Sequence, residues 1–407
     1  MGSANNTPEG WIEVNISEIA TTNDESISRD YNHLNIEYLD TGSITKNSVE
    51  GFQLFDLKEA PSRAKRLVKN GDIIYSTVRP NQEHYGYITN PKANCVVSTG
   101  FCVIRTKDNC YSKFLYYLLT QNKVRDYLHL LGEQSASAYP SIKPIDIENL
   151  IIYIPAEFEE QKAIAKVLTA FDDKIELLKA QNKTLETMAQ TIFKEWFGKY
   201  QIGDELPEGW RVGVIGDLIE IKRGGSPRPI KDYISDSGYR WLKISDASAT
   251  SSPYIFIIKE HIKKEGLKKT TFKNKGDLVL SNSATPGIPK FLAVDTCVHD
   301  GWMHFPSSKV SNEYLYLLFL SIRPKLVQQG SGSVFVNLKT DTLRQFETII
   351  ASKNDFKAFD NIIKPIFTKI YNNALQIQSL TKTRDTLLPK LMSGQVRVNN
   401  IKQTADA

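Results

Sequence analysis

The side chains with chemistry to offer lie in short polar loops. Ile221-Lys-Arg-Gly-Gly-Ser-Pro-Arg-Pro229 sets Lys222, Arg223, Arg228 and the Ser226 hydroxyl around two glycines. Glycine lacks a Cβ, so this backbone can approach a phosphate closely while the cations supply charge; the competing reading is an ordinary solvated turn. Lys243 follows the aromatic run Tyr239-Arg-Trp-Leu242. Ser281-Asn-Ser-Ala-Thr-Pro286, with Ser283, Thr285 and the nearby Lys290, offers groups of the kind that contact phosphates or base edges. Arg29, Lys46 and Ser76-Thr-Val-Arg-Pro-Asn81, with Arg79 and Asn81, present the same chemistry earlier in the chain. Two further loops carry small donors beside an aromatic, suited to close approach to a groove: Glu133 to Tyr139, with Ser135, Ser137 and Tyr139, and Gln329 to Phe335, with Ser331 and Ser333. Lys259 to Lys275 holds seven lysines against two glutamates, a cationic face or simply a solvated one.

Bond-breaking chemistry has no such signature. The sequence contains no G-x-x-x-x-G-K-[ST] phosphate loop, no G-x-G-x-x-G opening a helix, no H-E-x-x-H and no G-x-S-x-G. Glu160-x-Lys162 matches half of a nuclease carboxylate–lysine motif, but no Pro-Asp pair precedes it. No catalytic residue is assigned. Cys95, Cys102, Cys110 and Cys297 form no C-x-x-C pair and read as reduced, buried thiols; His299 and His304 flank Trp302 without the spacing of a metal site.

Composition bounds what could carry these loops. The chain has 407 residues, 41% hydrophobic and 24% charged, with 51 basic against 46 acidic side chains and a net charge of +5. That length suits several domains, and the mild basic excess permits a nucleic-acid partner without requiring one. No apolar run reaches the ~18 to 20 residues of a membrane span, and the first residues lack the basic and apolar regions of a secretory signal, so a cytoplasmic protein without a membrane partner is expected.

The elements that position the loops repeat. Pro8-Glu-Gly-Trp11 returns as Pro207-Glu-Gly-Trp210, Asn70 to Ser76 (NGDIIYS) as Lys275 to Ser281 (KGDLVLS), Lys113 to Leu119 (KFLYYLL) as Glu313 to Phe319 (EYLYLLF), and Ser141-Ile-Lys143 as Asn337-Leu-Lys339. The order is kept at a displacement of about 200 residues, too long for a solenoid repeat and right for a duplicated domain. Each copy predicts strands (Asn35 to Leu39, Ile73 to Ser76 and Val96 to Arg105; Tyr239 to Ile244, Leu278 to Ser281 and Thr296 to Phe305). A helix follows (Ser112 to Leu131; Ser311 to Gln329), then a polar loop and a last strand near Leu150 to Ile154 or Phe346 to Ile350.

Each copy then ends in a long helix, roughly Glu157 to Phe197 and Asp355 to Met392. Apolar residues at Ile164, Leu168, Phe171, Ile175, Leu178, Leu185, Ala189, Ile192 and Trp196 alternate steps of four and three, with Asn182 in the gap. The second helix repeats the pattern through Phe359, Ile363, Ile366, Ile370, Ile377, Leu380, Leu387 and Leu391, with Asn373 and Arg384 at the remaining seam positions. This is a coiled-coil seam. Packed antiparallel, it sets Asn182 against Asn373, Leu178 against Ile377, Leu185 against Ile370 and Trp196 against Phe359. An asparagine facing leucine would leave an amide unpaired at about 1 to 3 kcal/mol, so the pair fixes the register. The alternative is that each helix packs on its own domain with the asparagines in water. Pro365 and Pro389 predict a bend or a late start in the second helix. A seam of ~32 residues at 1.5 Å each makes a spacer of ~48 Å between two unequal reading heads, which fits a long duplex touched at two places.

Taken together, these features resemble the specificity subunit of type I restriction-modification systems, over essentially the full length. The resemblance rests on the two PEGW segments, the glycine-aspartate strands at Gly71 and Gly276, Ser141 to Leu150 (SIKPIDIENL) leading to Ile154 to Lys162 (IPAEFEEQK), Ile192 to Phe197 (IFKEWF), and Leu387 to Gln395 (LLPKLMSGQ). It implies an α+β fold: two similar mixed α/β target recognition domains separated by two long antiparallel coiled-coil helices, related by a pseudo-twofold. The corresponding boundaries are 1–155 and 201–351 for the recognition domains, 156–200 and 352–395 for the helical spacers, and 396–407 for a tail.

The resemblance further implies a non-catalytic subunit that binds an asymmetric, bipartite site in double-stranded DNA. Its partners would be two methyltransferase subunits and restriction subunits, with S-adenosylmethionine, ATP and Mg on those partners and no cofactor or metal in this chain. Phe193, Trp196, Phe197, Leu387 and Leu391, beside Ile192, Leu388 and Met392, exceed what a seam needs; part of this cluster is expected to meet partner helices, unless it caps the seam and the domain bases. The second copy departs from the pattern, since Ile350 to Lys357 (IASKNDFK) lacks the proline and glutamine of Ile154 to Lys162. The alternatives are a self-sufficient DNA methyltransferase or nuclease, and an adaptor that uses the helices for protein binding alone.

Overall fold

The computed structural model describes residues 7–135, 139–328 and 337–398. The chain divides into two compact units, 1–174 with 380–407, and 175–379. Each long helix is therefore shared between units, and its halves fold with different globular parts.

In the first unit one four-stranded sheet runs in the order Gln53–Asp56, Asn35–Leu39, Cys95–Ser98, Ala64–Leu67, and a second in the order Ala20–Thr22, Phe101–Thr106, Ile73–Ser76, Tyr85–Tyr87. Only Asn35–Leu39 and Cys95–Ser98 are parallel. The second unit has two five-stranded sheets, and the same parallel pairing recurs between Tyr239–Leu242 and Thr296–Val298. In each unit an antiparallel ribbon ties the first strand to the last: Trp11–Asn15 with Ile151–Pro155, and Arg211–Val214 with Glu347–Ile350.

Local sequence explains the repeated motifs. In Pro-Glu-Gly-Trp the tryptophan N–H donates to the proline carbonyl (Trp11 to Pro8, 3.1 Å; Trp210 to Pro207, 3.0 Å), with Gly10 and Gly209 at φ 76° and 79°. A turn whose third residue needs positive φ takes glycine there. Gly71 and Gly276 sit at φ 91° and 92°, and the aspartate after each accepts a backbone N–H three residues earlier, from Lys69 (2.7 Å) or Asn274 (3.1 Å).

Two expected elements are split. The run Val96 to Arg105 is two strands in different sheets, because Thr99-Gly100 carries the chain across; Thr296 to Phe305 is likewise divided by His299–Gly301 into Thr296–Val298 and Trp302–His304. The helix expected from Ser112 to Leu131 breaks into Ser112–Leu119 and Asn122–Glu133, since Gln121 takes extended backbone (ψ 142°). Its counterpart Asn312–Gln328 is continuous.

The long helices span Phe158–Phe197 and Lys353–Leu391. The second runs unbroken through Pro365 and Pro389, so the late start expected from these prolines does not occur. In the second unit Asn373 Nδ2 donates to Asn182 Oδ1 (3.0 Å), and Asn182 Nδ2 to the Ile370 carbonyl (3.2 Å). Trp196 meets Phe359 at 5.7 Å between ring centroids, and Leu178 and Ile370 are buried. In the first unit Arg384, at its seam position, gives Nη1 to Asp172 Oδ1 (2.6 Å). The antiparallel register is the one the asparagines predict, and burial of Asn373 is matched by hydrogen bonds.

Phe193 and Phe197 are buried on Tyr314 and Phe359 in the second unit's core, and Leu391 and Met392 are buried in the first. For these four residues the packing is that of the alternative reading, in which they cap the seam and the domain bases, Tyr314 of the helix Asn312–Gln328 lying against Phe193 and Phe197. The junction that lacks a glutamine also differs. In the first unit buried Gln161 accepts from the Tyr111 N–H (2.9 Å) and donates to the Pro155 carbonyl (3.0 Å). In the second, Ser311 donates to Asp360 (2.6 Å) and Trp210 Nε1 to Asp355 (2.7 Å). The start of the expected tail is held, with Arg397 bonding the Glu9 carbonyl (2.8 Å) and Glu160 (2.9 Å).

Candidate nucleic-acid interface

The loop after the strand Ile73–Ser76 is fastened on both sides by peptide groups. Thr77 N–H donates to the Gly100 carbonyl (2.9 Å), and the Thr77 carbonyl accepts from Ile142 N–H (2.8 Å). In the second unit Asn282 N–H donates to the Gly301 carbonyl (2.9 Å), and the Asn282 carbonyl accepts from Leu338 N–H (2.8 Å). Each domain thus clamps one polar loop between the turn where the chain changes sheets and the segment that follows the Gly/Ser loop.

In the first unit the clamp gathers several of the sequence candidates. Arg79 N–H donates to the Pro140 carbonyl (2.8 Å), which sets the exposed Arg79 guanidinium 5.5 Å from the exposed Tyr139 ring, a cation–π contact. Arg79 has φ 47°, and Pro80–Gln82 forms a short 3-10 turn ending at Glu83, φ 60°, with Asn81 exposed on it. Glu83 accepts ion pairs from Lys46 (2.8 Å) and Arg125 (2.6 Å). Lys46 and Asn47, both at positive φ, form the tip of the hairpin Ile44–Thr45/Ser48–Val49, as a twist-matched two-residue turn requires. Lys46, Arg79, Asn81 and Tyr139 are therefore brought together. Arg29 stands exposed on a separate turn, and Ser135 is half-buried with its hydroxyl 3.3 Å from that of Ser141. Ser137, Ser331 and Ser333 lie outside the described residues.

In the second unit the basic loop is organised around a residue that sequence reading passed over, Asp300. Its carbonyl accepts from Arg223 Nε (3.1 Å) and Nη2 (2.9 Å) and from Asn282 Nδ2 (3.0 Å). Its carboxylate accepts from the Ser226 hydroxyl (2.6 Å) and Arg228 Nη2 (3.2 Å). The Ser226 hydroxyl, foremost, holds the Asp300 carboxyl below the usual aspartate range. The sequence did carry a signal for this hub: Gly301 repeats Gly100, so the turn containing Asp300 occupies the clamp position.

Two expectations change here. The glycines of Ile221 to Pro229 do not leave a backbone open to a phosphate. Gly224 N–H donates to the Trp302 carbonyl (2.9 Å) and Gly225 N–H to Val298 (3.2 Å), while a Cβ on Gly224 would lie 2.3 Å from the His299 carbonyl oxygen. The glycines let the loop press onto the 298–302 turn. Lys290, expected at the surface, is only 6% exposed; its ammonium donates to the Thr250 (2.9 Å) and Ser252 carbonyls, and burial pushes its pKa down to about 8. It closes that loop from inside. The lysine run stays at the surface, all but the half-buried Lys273 being exposed, although Lys263 bonds the Asp232 carbonyl, Lys269 bonds Tyr233 and Lys273 pairs with Asp277.

The remaining candidates are exposed or half-buried. Lys222 is exposed in an ion pair with Glu220 (2.9 Å), Lys243 pairs with Glu260, and Ser283 and Thr285 stand on the clamped loop with Thr285 exposed. Cys95, Cys102, Cys110 and Cys297 are buried free thiols, pushed up to between about 11 and about 12 by burial. Among the described residues no three His, Cys, Asp or Glu side chains gather as a metal site, and no helix is long and apolar enough to cross a membrane. Cations, hydroxyls and amides on fixed loops can bind an anionic polymer and hydrogen-bond to base edges.

Comparison with known proteins agrees with the repeat. A family model described as the type I restriction modification DNA specificity domain matches residues 8–187 and 207–383. The type I restriction enzyme HindI specificity subunit of Haemophilus influenzae is 26% identical, over 95% of this chain and 99% of that one. The MjaIX specificity subunit of Methanocaldococcus jannaschii is 28% identical, over 83% and 80%. The crystal structure of a type I restriction-modification S subunit from M. genitalium shares the fold with a TM-score of 0.58, at 16% identity and covering 96% of this chain and 98% of that one.

Proposed function

Because the chain belongs to the family defined by the type I restriction-modification DNA specificity domain, we propose that it selects the DNA site of such a system by binding an asymmetric, two-part sequence, one part to each repeat. The observation that carries this reading is the recurring clamp: identical main-chain bonds at Thr77 and Asn282 hold loops whose side chains differ. One scaffold presenting two unlike sets of donors reads two unlike half-sites. Cations around each loop supply sequence-independent attraction to phosphate, and the short polar side chains supply base contacts.

The chain itself is non-catalytic in this reading. Methyl transfer belongs to two partner methyltransferase subunits that carry S-adenosylmethionine, and ATP- and Mg-dependent cleavage to restriction subunits, all in the cytoplasm. The paired long helices set the gap between the half-sites and offer the partners their docking surface.

The test is selection from random duplexes by the complex of this chain with its methyltransferase subunits. A consensus of two unlike parts separated by a fixed gap is expected, and mapped adenine methylation in the host genome should return the same two parts only when this chain is present. A consensus without a gap would reject the bipartite reading, no consensus would favour an adaptor, and methyl transfer by the purified chain alone would favour a self-sufficient methyltransferase.

A further inference from the structure

Asp300 has no counterpart among the side chains expected to touch DNA, yet the basic loop and the clamped loop of the second domain converge on it from two sides. Arg223, Ser226 and Arg228 reach it from one side and Asn282 from the other. The turn that bears it is wedged between two loops. A Cβ on Gly301 would lie 2.7 Å from the Ser283 hydroxyl, and one on Gly224 2.5 Å from the Val298 carbonyl. We propose that Asp300 is a positioning residue for DNA binding: its carboxylate fixes the Ser226–Arg228 segment so that the Arg228 guanidinium stands beside Arg223 as a second phosphate-binding fork.

The contacts are divided in a way that suits this role. Arg228 gives the carboxylate a single nitrogen, Nη2, at 3.2 Å, and its side chain is 76% exposed. The rest of its planar fork therefore stays open for the paired contact that arginine makes with phosphate oxygens. Arg223 is anchored to a neutral carbonyl rather than to the carboxylate, so its charge is not cancelled by its anchor. The stronger contact to the carboxylate, the Ser226 hydroxyl at 2.6 Å, belongs to the same loop and costs no cation.

The inference rests on the reading that this chain binds DNA, and the experiment separates the two. Binding of the selected duplex by the full chain in complex with its methyltransferase subunits is followed across a salt series for wild type, D300A, D300N, S226A, R228A and R228A/D300A. Removing an acidic side chain near DNA should tighten binding if Asp300 merely borders the site. If it positions Arg228, D300A weakens binding roughly tenfold and lowers the salt slope by about one, the value of one phosphate contact. D300N, which can still accept from Ser226, and S226A, which alters no charge, lose less in the same direction. R228A/D300A should bind no more weakly than R228A.

Tighter or unchanged binding by D300A overturns the proposal, as does an additive loss in the double variant. Should D300A fail to fold by circular dichroism, unchanged affinity in both D300N and S226A overturns it equally. Failure of the wild-type complex to select DNA would instead remove the functional reading, and this inference with it; selective wild-type binding confines any failure to Asp300.

Discussion

Arg223 uses Nε and Nη2 on a carbonyl, leaving Nη1 without a hydrogen-bond partner among the described residues. R223A in the assembled complex should weaken binding to all duplexes alike and lower the salt slope by about one, because a phosphate contact carries no sequence information; an unchanged slope would return the loop to an ordinary turn. Lys290 makes a different kind of test. Its pKa is pushed down to about 8 by burial, so between about pH 8 and its ordinary 10.5 the unfolded chain binds a proton that the folded chain has released. Stability therefore rises with pH through that window and is insensitive to this group below it. Denaturant titrations from pH 7.5 to 9.5 should show that rise in wild type relative to K290M, and parallel profiles for the two proteins would contradict it.

At the scale of elements, the decisive feature is the asparagine pair. N182L should destabilise the second unit by about 1 to 3 kcal/mol, since Asn373 would keep its buried amide and lose its shorter partner, retaining only the longer contact to Gln181 Oε1 (3.4 Å). N182L/N373L should recover much of this while loosening register, as leucine packs equally well one heptad away. Urea unfolding of the chain measures both; a double variant no more stable than the single would contradict the pairing.

These helices were readable in the sequence because a heptad is a periodic signal sustained over many turns, and it survives the two prolines. The strands Asn35–Leu39, Ile73–Ser76 and Leu278–Ser281 were readable to the residue, each bounded by polar or glycine-rich sequence. What could not be read were contacts between distant segments. Asp300 meets Arg223 across 77 positions, Tyr117 bonds Asp172 and Tyr316 bonds Glu186, tying a domain helix to a long helix in each unit. Lys290 looked like a surface cation because nothing in its neighbours announces the two carbonyls of a loop about forty residues earlier. Composition reports which groups are present, and only packing decides which are spent internally.

At the scale of the molecule, duplication followed by divergence accounts for the whole plan. The family match covers the two repeats and leaves out only the segment between them and the two ends. If each repeat reads its own half-site, S283A/T285A, on the clamped loop of the second, should relax selection at one half of the consensus and leave the other half and the gap unchanged. The same random-duplex selection reads this out, and a change in both halves would mean that the loops do not act independently. The clamp has an evolutionary consequence as well. Its fasteners are peptide N–H and C=O groups, which at Thr77 and Asn282 every replacement short of proline keeps, while Gly100 and Gly301, where a Cβ would crowd its neighbours, belong to the frame. The loops are thus rewritable surfaces on an inherited frame, where a new target can be acquired by drift in a few side chains while the frame passes unaltered to descendants.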